Sequence, residues 1–366
     1  DKVEEYKILD KKIEDINIST IISKNSMKRP DDVVMSGSSF KVLAKEYNKT
    51  KRQKPIRVLL DEIFDFILDI KPVFLMSPLS VSTYLNNRNY LFDCVIFDEA
   101  SQIFVHDSLG AIYRSKQCII IGDSKQMPPS NFFMASVESE EDDREYDLES
   151  ILDKATQVFP TTSLKWHYRS RSEELITFSN HSFYNDGLIT IPQALTHSKG
   201  FGVDFYYFPD GKYDMATRTN PYEAQKICKM VFEHYKESSK SLGVVAFSNV
   251  QADLISSLVD KELKKHPELM KYFDGSTDEP FFVKNLETVQ GDERDRIIFS
   301  ICYAYNSEGK FYQRFGPLNN SGGERRLNVA VTRAKYNISI VSSIRYTDIK
   351  TTTNSKGALL LRDYLE

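Results

Sequence analysis

Short apolar runs alternate with stretches of helical spacing along most of the chain. One apolar run, from Cys94 to Phe97, ends abruptly in the adjacent carboxylates of Asp98 and Glu99. An apolar run of this length between polar residues is typical of a strand buried on both faces of a parallel sheet. Such sheets place their ligands outside the carboxyl ends of their strands. We therefore expect Asp98 and Glu99 to lie at the mouth of a site.

The same alternation predicts the other elements. The first 54 residues are predicted to form helices joined by a poorly ordered polar connection around residues 27–32. Strands and helices that alternate along the rest of the chain indicate an α/β fold with parallel sheets. Buried strands are predicted at 72–76, 118–121, 242–247, 297–302 and 338–341, and helices at 55–64, around 175–178, at 251–263 and at 322–335.

Composition narrows the class of protein. The chain has 366 residues, of which 41% are hydrophobic and 27% charged, as in a globular protein with room for two domains. Its formal net charge of −4 means that any nucleic-acid contact needs a local basic surface. Without a membrane-length apolar run or a signal peptide, a cytoplasmic location is predicted. The cysteines stand singly in mostly apolar runs, which predicts reduced core residues: Cys94, Cys118, Cys228 and Cys302.

Several polar residues at strand ends are candidates for chemistry. Asp98 could hold Mg²⁺ through its waters while Glu99 polarises an attacking water, although an ordinary acidic loop is the alternative. Gln126 follows the predicted strand 118–121 in a stretch that Gly122 turns and two prolines stiffen, which suits a nucleotide sensor. Ser77 and Ser80 could bind a phosphate backbone or cap a helix, and capping is the simpler interpretation of either alone.

Taken together and in order, these segments resemble a superfamily 1 helicase. The Asn328-Val329-Ala330 form of the last matching motif (residues 325–335), with the Tyr168-Arg169 pair, is similar to the subgroup of RNA-surveillance helicases and replication helicase-nucleases that translocate 5′ to 3′. Longer strings resemble large bacterial helicases, some of which carry a nuclease-like domain further on. The matching motifs are Walker B at 98–102 (DEASQ), motif III at 122–129, motif IV at 166–171, motif V at 289–295 and motif VI at 325–335.

The resemblance implies ATP and Mg²⁺ as cofactors and assigns roles residue by residue. Asp98 would hold Mg²⁺, Glu99 would activate water, and Gln126 would sense the γ-phosphate. Tyr168 would stack on adenine, Glu293 beside Gln290 and Gly291 would bind the ribose, and Arg169 and Arg333 would reach across an interdomain cleft to the γ-phosphate. Taken singly, the alternatives are a surface cation for Arg333, a core aromatic for Tyr168 and a turn residue for Glu293.

On the nucleic-acid side, the resemblance places Ser77, Ser80 and Thr288 against the phosphates of single-stranded DNA or RNA. Ala246 stands where such helicases usually carry Thr, with Gln251 five residues on, so one hydroxyl contact is absent. His167 replaces a common Gln and is interpreted as structural.

The chain departs from the family in one motif. None of its fifteen glycines opens a Gly-x-x-x-x-Gly-Lys-Ser/Thr loop, the loop that cradles the β- and γ-phosphates. Together with a start at Asp1 rather than Met, this predicts that the amino-terminal part of the first RecA-like domain lies outside the chain. We expect the chain alone to have little or no ATPase activity, and turnover stimulated by single-stranded nucleic acid would contradict that.

The predicted architecture is one complete and one partial RecA-like domain. The leading hypothesis is part of an ATP-dependent helicase or translocase. A helicase-shaped scaffold that no longer hydrolyses ATP is the alternative, and a nuclease ranks lower for want of a second acidic cluster. The predicted segments are 1–54 (helical, role open), 55–136 (partial first domain), 137–155 (acidic linker), 156–345 (second domain) and 346–366 (tail).

Overall fold

The computed structural model describes residues 2–27, 37–87, 91–129, 150–192, 200–320 and 322–366. Residues 28–32 of the predicted polar connection and 137–149 of the predicted linker lie outside these ranges. The chain divides into two compact units, Asp1–Gly122 (unit 1) and Asp123–Glu366 (unit 2). Within the described ranges, no helix combines the length and apolar character that crossing a membrane requires.

Unit 1 combines helices with a two-stranded parallel sheet. Pro55 directly precedes the third helix, where its fixed φ suits a helix start. Ser77 caps the fourth helix by accepting a hydrogen bond from the Ser80 amide. The elements are α1 (Lys2–Met27), α2 (Ser38–Tyr47), α3 (Ile56–Ile70), α4 (Pro78–Tyr84), β1 (Phe92–Phe97), α5 (Val105–Tyr113) and β2 (Ser115–Ile120).

The predicted strand at Asp98 exists, but its predicted burial on both faces is wrong. Strands β1 and β2 pair in parallel, with Phe97 opposite Ile120. Ile96 remains 59% exposed and Ile119 41% exposed. The described part of unit 1 has only these two strands in its sheet, so one face of the apolar run lacks the cover that a wider sheet with helices on both sides provides.

The strand predicted at 72–76 is also wrong. These residues form an irregular segment in which Val73 is 77% and Leu75 95% exposed. Apolar composition produces a strand only where a neighbouring strand supplies hydrogen bonds and cover, and Pro72 has no amide hydrogen to donate. Phe74 packs inward, with its ring centroid 5.3 Å from that of Phe92.

Unit 2 is built around a five-stranded parallel sheet whose order is β3-β7-β6-β4-β5. The central strands are almost entirely buried, as Val244, Phe299 and Ile338 illustrate with 0% exposure each. Burial on both faces explains why these strands are apolar runs in the sequence. The strands are β3 (Gly202–Tyr207), β4 (Leu242–Ala246), β5 (Phe282–Asn285), β6 (Arg294–Ser300) and β7 (Ala334–Ser342).

The predicted α/β class with parallel sheets is confirmed, with shifts at the ends of elements. The helix predicted at 322–335 ends at Val331, because β7 begins at Ala334. The segment predicted as a tail contains a packed helix in which Leu361 is fully buried. The helices of unit 2 are α6 (Ile151–Val158), α7 (Glu174–Tyr184), α8 (Pro221–Glu237), α9 (Asn249–Leu263), α10 (Gly323–Val331) and α11 (Lys356–Leu365).

The prediction that all four cysteines are core residues is correct for Cys302 and wrong for the other three. All four thiols are free. Only Cys302 is buried, whereas Cys94, Cys118 and Cys228 are half-buried.

Helices α10 and α11 approach the chain closely at Leu318. A Cβ at Gly323 would lie 2.3 Å from the Leu318 carbonyl oxygen, and one at Gly357 would lie 2.2 Å from it. We expect Gly323→Ala to lower the free energy of unfolding by about 2 kcal/mol, because the backbone must move to admit the methyl group. Urea denaturation measures this. Lys356→Ala on the exposed side of α11 is the control, and equal midpoints for the two variants would contradict the close packing.

Candidate functional site

Asp98 and Glu99 lie immediately after β1, at its carboxyl end. Asp98 Oδ1 accepts the Glu99 amide hydrogen at 2.9 Å, and both residues are exposed. Glu99 has φ 51° and ψ 40°, a left-handed conformation that a non-glycine residue rarely adopts. The Ala100 amide holds this turn by donating to the Ile121 carbonyl at 2.9 Å. The turn therefore presents two adjacent carboxylates to solvent, at the strand end where the sequence predicts them.

This pair suits a metal bound together with a phosphate. Mg²⁺ in phosphate-transfer sites keeps several waters and takes one or two carboxylates plus phosphate oxygens. The exposed oxygens of Asp98 and Glu99 match that donor set. Among the described residues, no group of three or more His, Cys, Asp or Glu side chains could hold a metal by itself.

Gln126 is half-buried in the loop 123–129, which directly follows unit 1 along the chain. Its side-chain amide donates to Asp123 Oδ2 at 3.0 Å. The other oxygen of Asp123 accepts the Lys125 amide hydrogen at 2.8 Å. The position of the Gln126 side chain is thus set by Asp123, a residue that the sequence did not single out.

Arg169 and Glu293 meet at the edge of the five-stranded sheet that is formed by the amino-terminal ends of its strands, where β6 and β7 begin. Arg169 Nε donates to Glu293 Oε2 at 2.7 Å, although the two residues are 124 positions apart. Lys335 Nζ lies 3.2 Å from Glu293 Oε1 and 2.6 Å from Glu279 Oε1. The Arg171 amide donates to the Lys335 carbonyl at 2.6 Å, which fixes the Arg169 segment to the start of β7. We call Arg169, Glu293 and Lys335 the edge triad.

The edge triad keeps its charges. Burial acts to raise the pKa of Glu293, but hydrogen bonds from Arg169 and Lys335 outweigh it and hold that pKa below its usual value. Burial acts to lower the pKa of Lys335, and the carboxylates of Glu279 and Glu293 raise it above the usual value. Two cations therefore flank one carboxylate at neutral pH. Lys335 was missed as a site residue, and its place inside motif VI was the available signal.

The solvent exposure of Tyr168 and of Arg333 rules out the structural role that was the alternative for each residue taken singly. Tyr168 is 83% exposed, so it is not a core aromatic. Trp166, two positions earlier, is 66% exposed. Arg333 is only 3% exposed, so it is not a surface cation. Its Nε donates to the Val329 carbonyl at 2.7 Å, at the carboxyl end of α10 where a cation is favoured.

The remaining predicted residues occupy loops and caps. Gly291 has φ 85°, and space beside it is open; Gln290 precedes it. Thr288 is exposed and bonds to Asn285, the last residue of β5, with 3.1 Å between Thr288 Oγ1 and Asn285 Oδ1. Ser77 is exposed and acts as a helix cap. Ser77 and Ser80 belong to unit 1, whereas Thr288 belongs to unit 2 together with the edge triad.

His167 is structural, as predicted. Its Nε2 accepts the Ser170 amide hydrogen at 3.0 Å. Burial, followed by the charge of Arg169, lowers its pKa. The imidazole is therefore neutral at pH 7 and stabilises the turn that carries Arg169.

A buried polar network at the carboxyl ends of β6 and β7 was missed. Glu223, in the first turn of α8, is fully buried and accepts from the Ser300 hydroxyl and the Cys302 amide, each at 2.7 Å. Gln251 is also fully buried and donates to Ser300 Oγ at 3.1 Å. Burial raises the pKa of Glu223 to about 7. An acid in the first turn of a helix looks like an ordinary exposed residue, so the sequence carries no signal for this burial.

Residues 148–345, more than half of the chain, match a family model described as an AAA domain, and residues 12–132 match a second model with the same description. The chain belongs to the AAA domains of superfamily 1 helicases. The predicted family is thereby confirmed, and each unit of this helicase chain is matched over most of its length.

Relatives of this helicase chain are named as helicases. "Uncharacterized ATP-dependent helicase MG140" of Mycoplasma genitalium is 35% identical over 320 residues, covering 82% of this chain and 28% of that protein. Its Mycoplasma pneumoniae homologue is 36% identical over the same length and coverage. "Probable helicase senataxin" of Mus musculus is 27% identical, covering 69% of this chain and 10% of that protein. The chain spans about 28% of the length of the first two relatives.

Among solved structures, the helicase of PRRSV is similar at 14% identity with a TM-score of 0.33, covering 68% of this chain and 34% of that one. A likeness at that score adds nothing to the fold described above.

Proposed function

We propose that the chain is part of an ATP-dependent helicase or translocase that couples ATP hydrolysis to movement on single-stranded nucleic acid. The observation that carries the proposal is the exposed Asp98-Glu99 turn at the carboxyl end of β1, in a chain of the superfamily 1 family. Relatives named as ATP-dependent helicases support it.

Unit 1 contributes the water-activating side of the reaction. Asp98 would hold Mg²⁺, which neutralises charge on the phosphates when it is bound. Glu99 accepts a proton from the attacking water and orients it toward the terminal phosphate.

Unit 2 contributes groups that bind the nucleotide and offset developing negative charge. Tyr168 stacks on the adenine with its exposed ring, and Glu293, with Gln290 and Gly291, accepts hydrogen bonds from the ribose. Arg169 and Arg333 act on the γ-phosphate, because phosphoryl transfer needs positive charge where negative charge develops. Glu293 keeps Arg169 oriented until a phosphate competes with Glu293 for it.

Gln126 responds to the γ-phosphate, and Ser77, Ser80 and Thr288 contact the phosphates of single-stranded DNA or RNA. The exposed hydroxyls of Ser77 and Thr288 suit such contacts, which position a strand without reading its sequence. The cytoplasm is the proposed location, in keeping with four free thiols.

Replacing Glu99 by glutamine in the full-length protein tests the proposal. We expect kcat for ATP hydrolysis to fall about a hundredfold, because an amide cannot accept the proton from water. Nucleotide affinity, measured by titration calorimetry, should stay within about threefold, since glutamine keeps the size and most of the polarity of glutamate. Asp93→Asn is the control, because Asp93 is a 96% exposed carboxylate on β1, the strand that ends before Asp98 and Glu99.

A second candidate is a non-hydrolysing nucleic-acid-binding module with a helicase fold. It predicts nucleotide or strand binding without turnover in the wild type, and therefore no difference between wild type and Glu99→Gln. The exposed Asp98-Glu99 turn favours hydrolysis over this candidate.

A further inference from the structure

A polar network within unit 2 joins the loop 123–129 to two helices. The Tyr184 hydroxyl, at the end of α7, donates to Asp123 Oδ2 at 2.6 Å. Asn328 Nδ2, on α10, donates to the Tyr184 hydroxyl oxygen at 3.1 Å and to the Lys125 carbonyl at 2.9 Å. Gln126 Nε2 donates to the same Asp123 oxygen that Tyr184 contacts. We call Asp123, Tyr184 and Asn328 the loop clamp.

Tyr184 holds its proton, so it can act as a donor to the carboxylate. Burial and then the charge of Asp123 raise the pKa of this hydroxyl, against smaller lowering effects from Asn328 and the positive charge of Arg333. A hydroxyl that donates to a carboxylate at 2.6 Å makes a strong, charge-assisted hydrogen bond. Phenylalanine would fill the same space and lose only two hydrogen bonds, the one donated to Asp123 and the one accepted from Asn328.

The side chain of Asn328 is oriented by the two hydrogen bonds that its amide nitrogen donates, and its side-chain oxygen is left without one among the described residues. The side chain is 1% exposed, and both partners of its amide nitrogen are oxygens, one of them a backbone carbonyl that only accepts. Its Oδ1 is buried without a hydrogen-bond partner among the described residues. An unpaired buried acceptor is destabilising. The arrangement therefore serves the attachment of the loop rather than the stability of α10.

The loop clamp connects Gln126 and Arg333, the two residues that the proposed function places at the γ-phosphate. On one side, Asp123 orients the Gln126 side chain. On the other, Asn328 lies on α10 five residues before Arg333, whose Nε bonds to the Val329 carbonyl of the same helix. The carboxyl end of α10 and the residues hydrogen-bonded to it move as a unit. A displacement of the loop is therefore transmitted through α10 to Arg333.

We propose that Tyr184 and Asn328 are positioning residues that fix Gln126 relative to α10, so that a change at Gln126 on nucleotide binding or hydrolysis is passed to Arg333. The coupling part rests on the proposed function. The attachment of the loop rests on the geometry alone.

Tyr184→Phe tests both parts, with Tyr206→Phe on β3 as the matched control. The Lys125 amide donates to Asp123 Oδ1 and the Gln126 amide donates to the Asp123 backbone carbonyl. In the full-length protein, we expect amide hydrogen exchange at both residues to speed up about tenfold in Tyr184→Phe, because Asp123 is no longer held by the tyrosine hydroxyl. For ATP hydrolysis in the presence of single-stranded nucleic acid, we expect kcat to fall between about tenfold and a hundredfold, with the KM for ATP little changed. Tyr206→Phe should alter neither quantity.

Three results are decisive. Unchanged exchange at Lys125 and Gln126 in Tyr184→Phe overturns the clamp, whatever the turnover. Faster exchange with unchanged kcat overturns the coupling and leaves Tyr184 with a purely structural role. A wild type without turnover overturns the proposed function and the coupling with it, and the exchange rates then decide by themselves whether Tyr184 holds the loop.

Discussion

Arg169→Ala in the full-length protein is expected to lower kcat for ATP hydrolysis about a thousandfold. The guanidinium of Arg169 is held beside Glu293 at 2.7 Å, on the extended segment that also carries the exposed ring of Tyr168. An arginine aimed at the transferred phosphoryl group stabilises charge that exists only in the transition state, so its loss lowers kcat more than it raises KM. Steady-state kinetics at saturating nucleic acid measures both constants.

The structure limits the damage that this substitution does to folding. Glu293 retains its ion pair with Lys335 when Arg169 is removed, so the melting temperature should change little. Arg57→Ala, an exposed position on α3, is the matched control and should leave kcat unchanged. Turnover of Arg169→Ala within about tenfold of the wild type would contradict the assigned role.

Glu223→Gln is expected to change how stability depends on pH. Burial raises the pKa of Glu223 from 4.5 to about 7, so the folded state binds its proton more tightly than the unfolded state. Its contribution to the free energy of unfolding is therefore fully present below about pH 4.5 and is lost as the pH rises to about 7. A shift of this size corresponds to about 3 kcal/mol.

Glutamine resembles the protonated carboxyl and does not ionise. We expect Glu223→Gln to match the wild type near pH 4.5 and to exceed its free energy of unfolding by about 3 kcal/mol at pH 8. Urea denaturation at both pH values measures the difference. Glu237→Gln, an exposed position at the end of the same helix, should show no pH-dependent gain. A variant less stable than the wild type at pH 8 would show that the ionised carboxylate is favoured in the fold.

The sequence predicted the central strands of unit 2 because β4, β6 and β7 are apolar along their length and buried on both faces. It missed the edge strands β3 and β5, which mix apolar residues with Asp204 or Lys284 and are covered on fewer sides. The error at 72–76 has the opposite cause: an apolar run that no neighbouring strand covers.

The sequence predicted which residues belong to the candidate site, but not the contacts between them or their burial. Spacing placed Arg169 and Glu293 in separate motifs, and their contact at 2.7 Å depends on how β6 and β7 begin side by side. Burial of Arg333 and Glu223 was unpredictable, because a charged side chain is buried only when distant segments supply its partners. Tyr184 lies outside every motif, so its contact with Asp123 across 61 positions left no trace in the sequence.

ATP turnover by the full-length protein, measured with and without a single-stranded DNA or RNA oligonucleotide, tests the central claim most directly. The account predicts measurable turnover that rises about tenfold or more when the oligonucleotide is added, and that Glu99→Gln removes. Turnover in the wild type no higher than in Glu99→Gln, with and without either oligonucleotide, would contradict it.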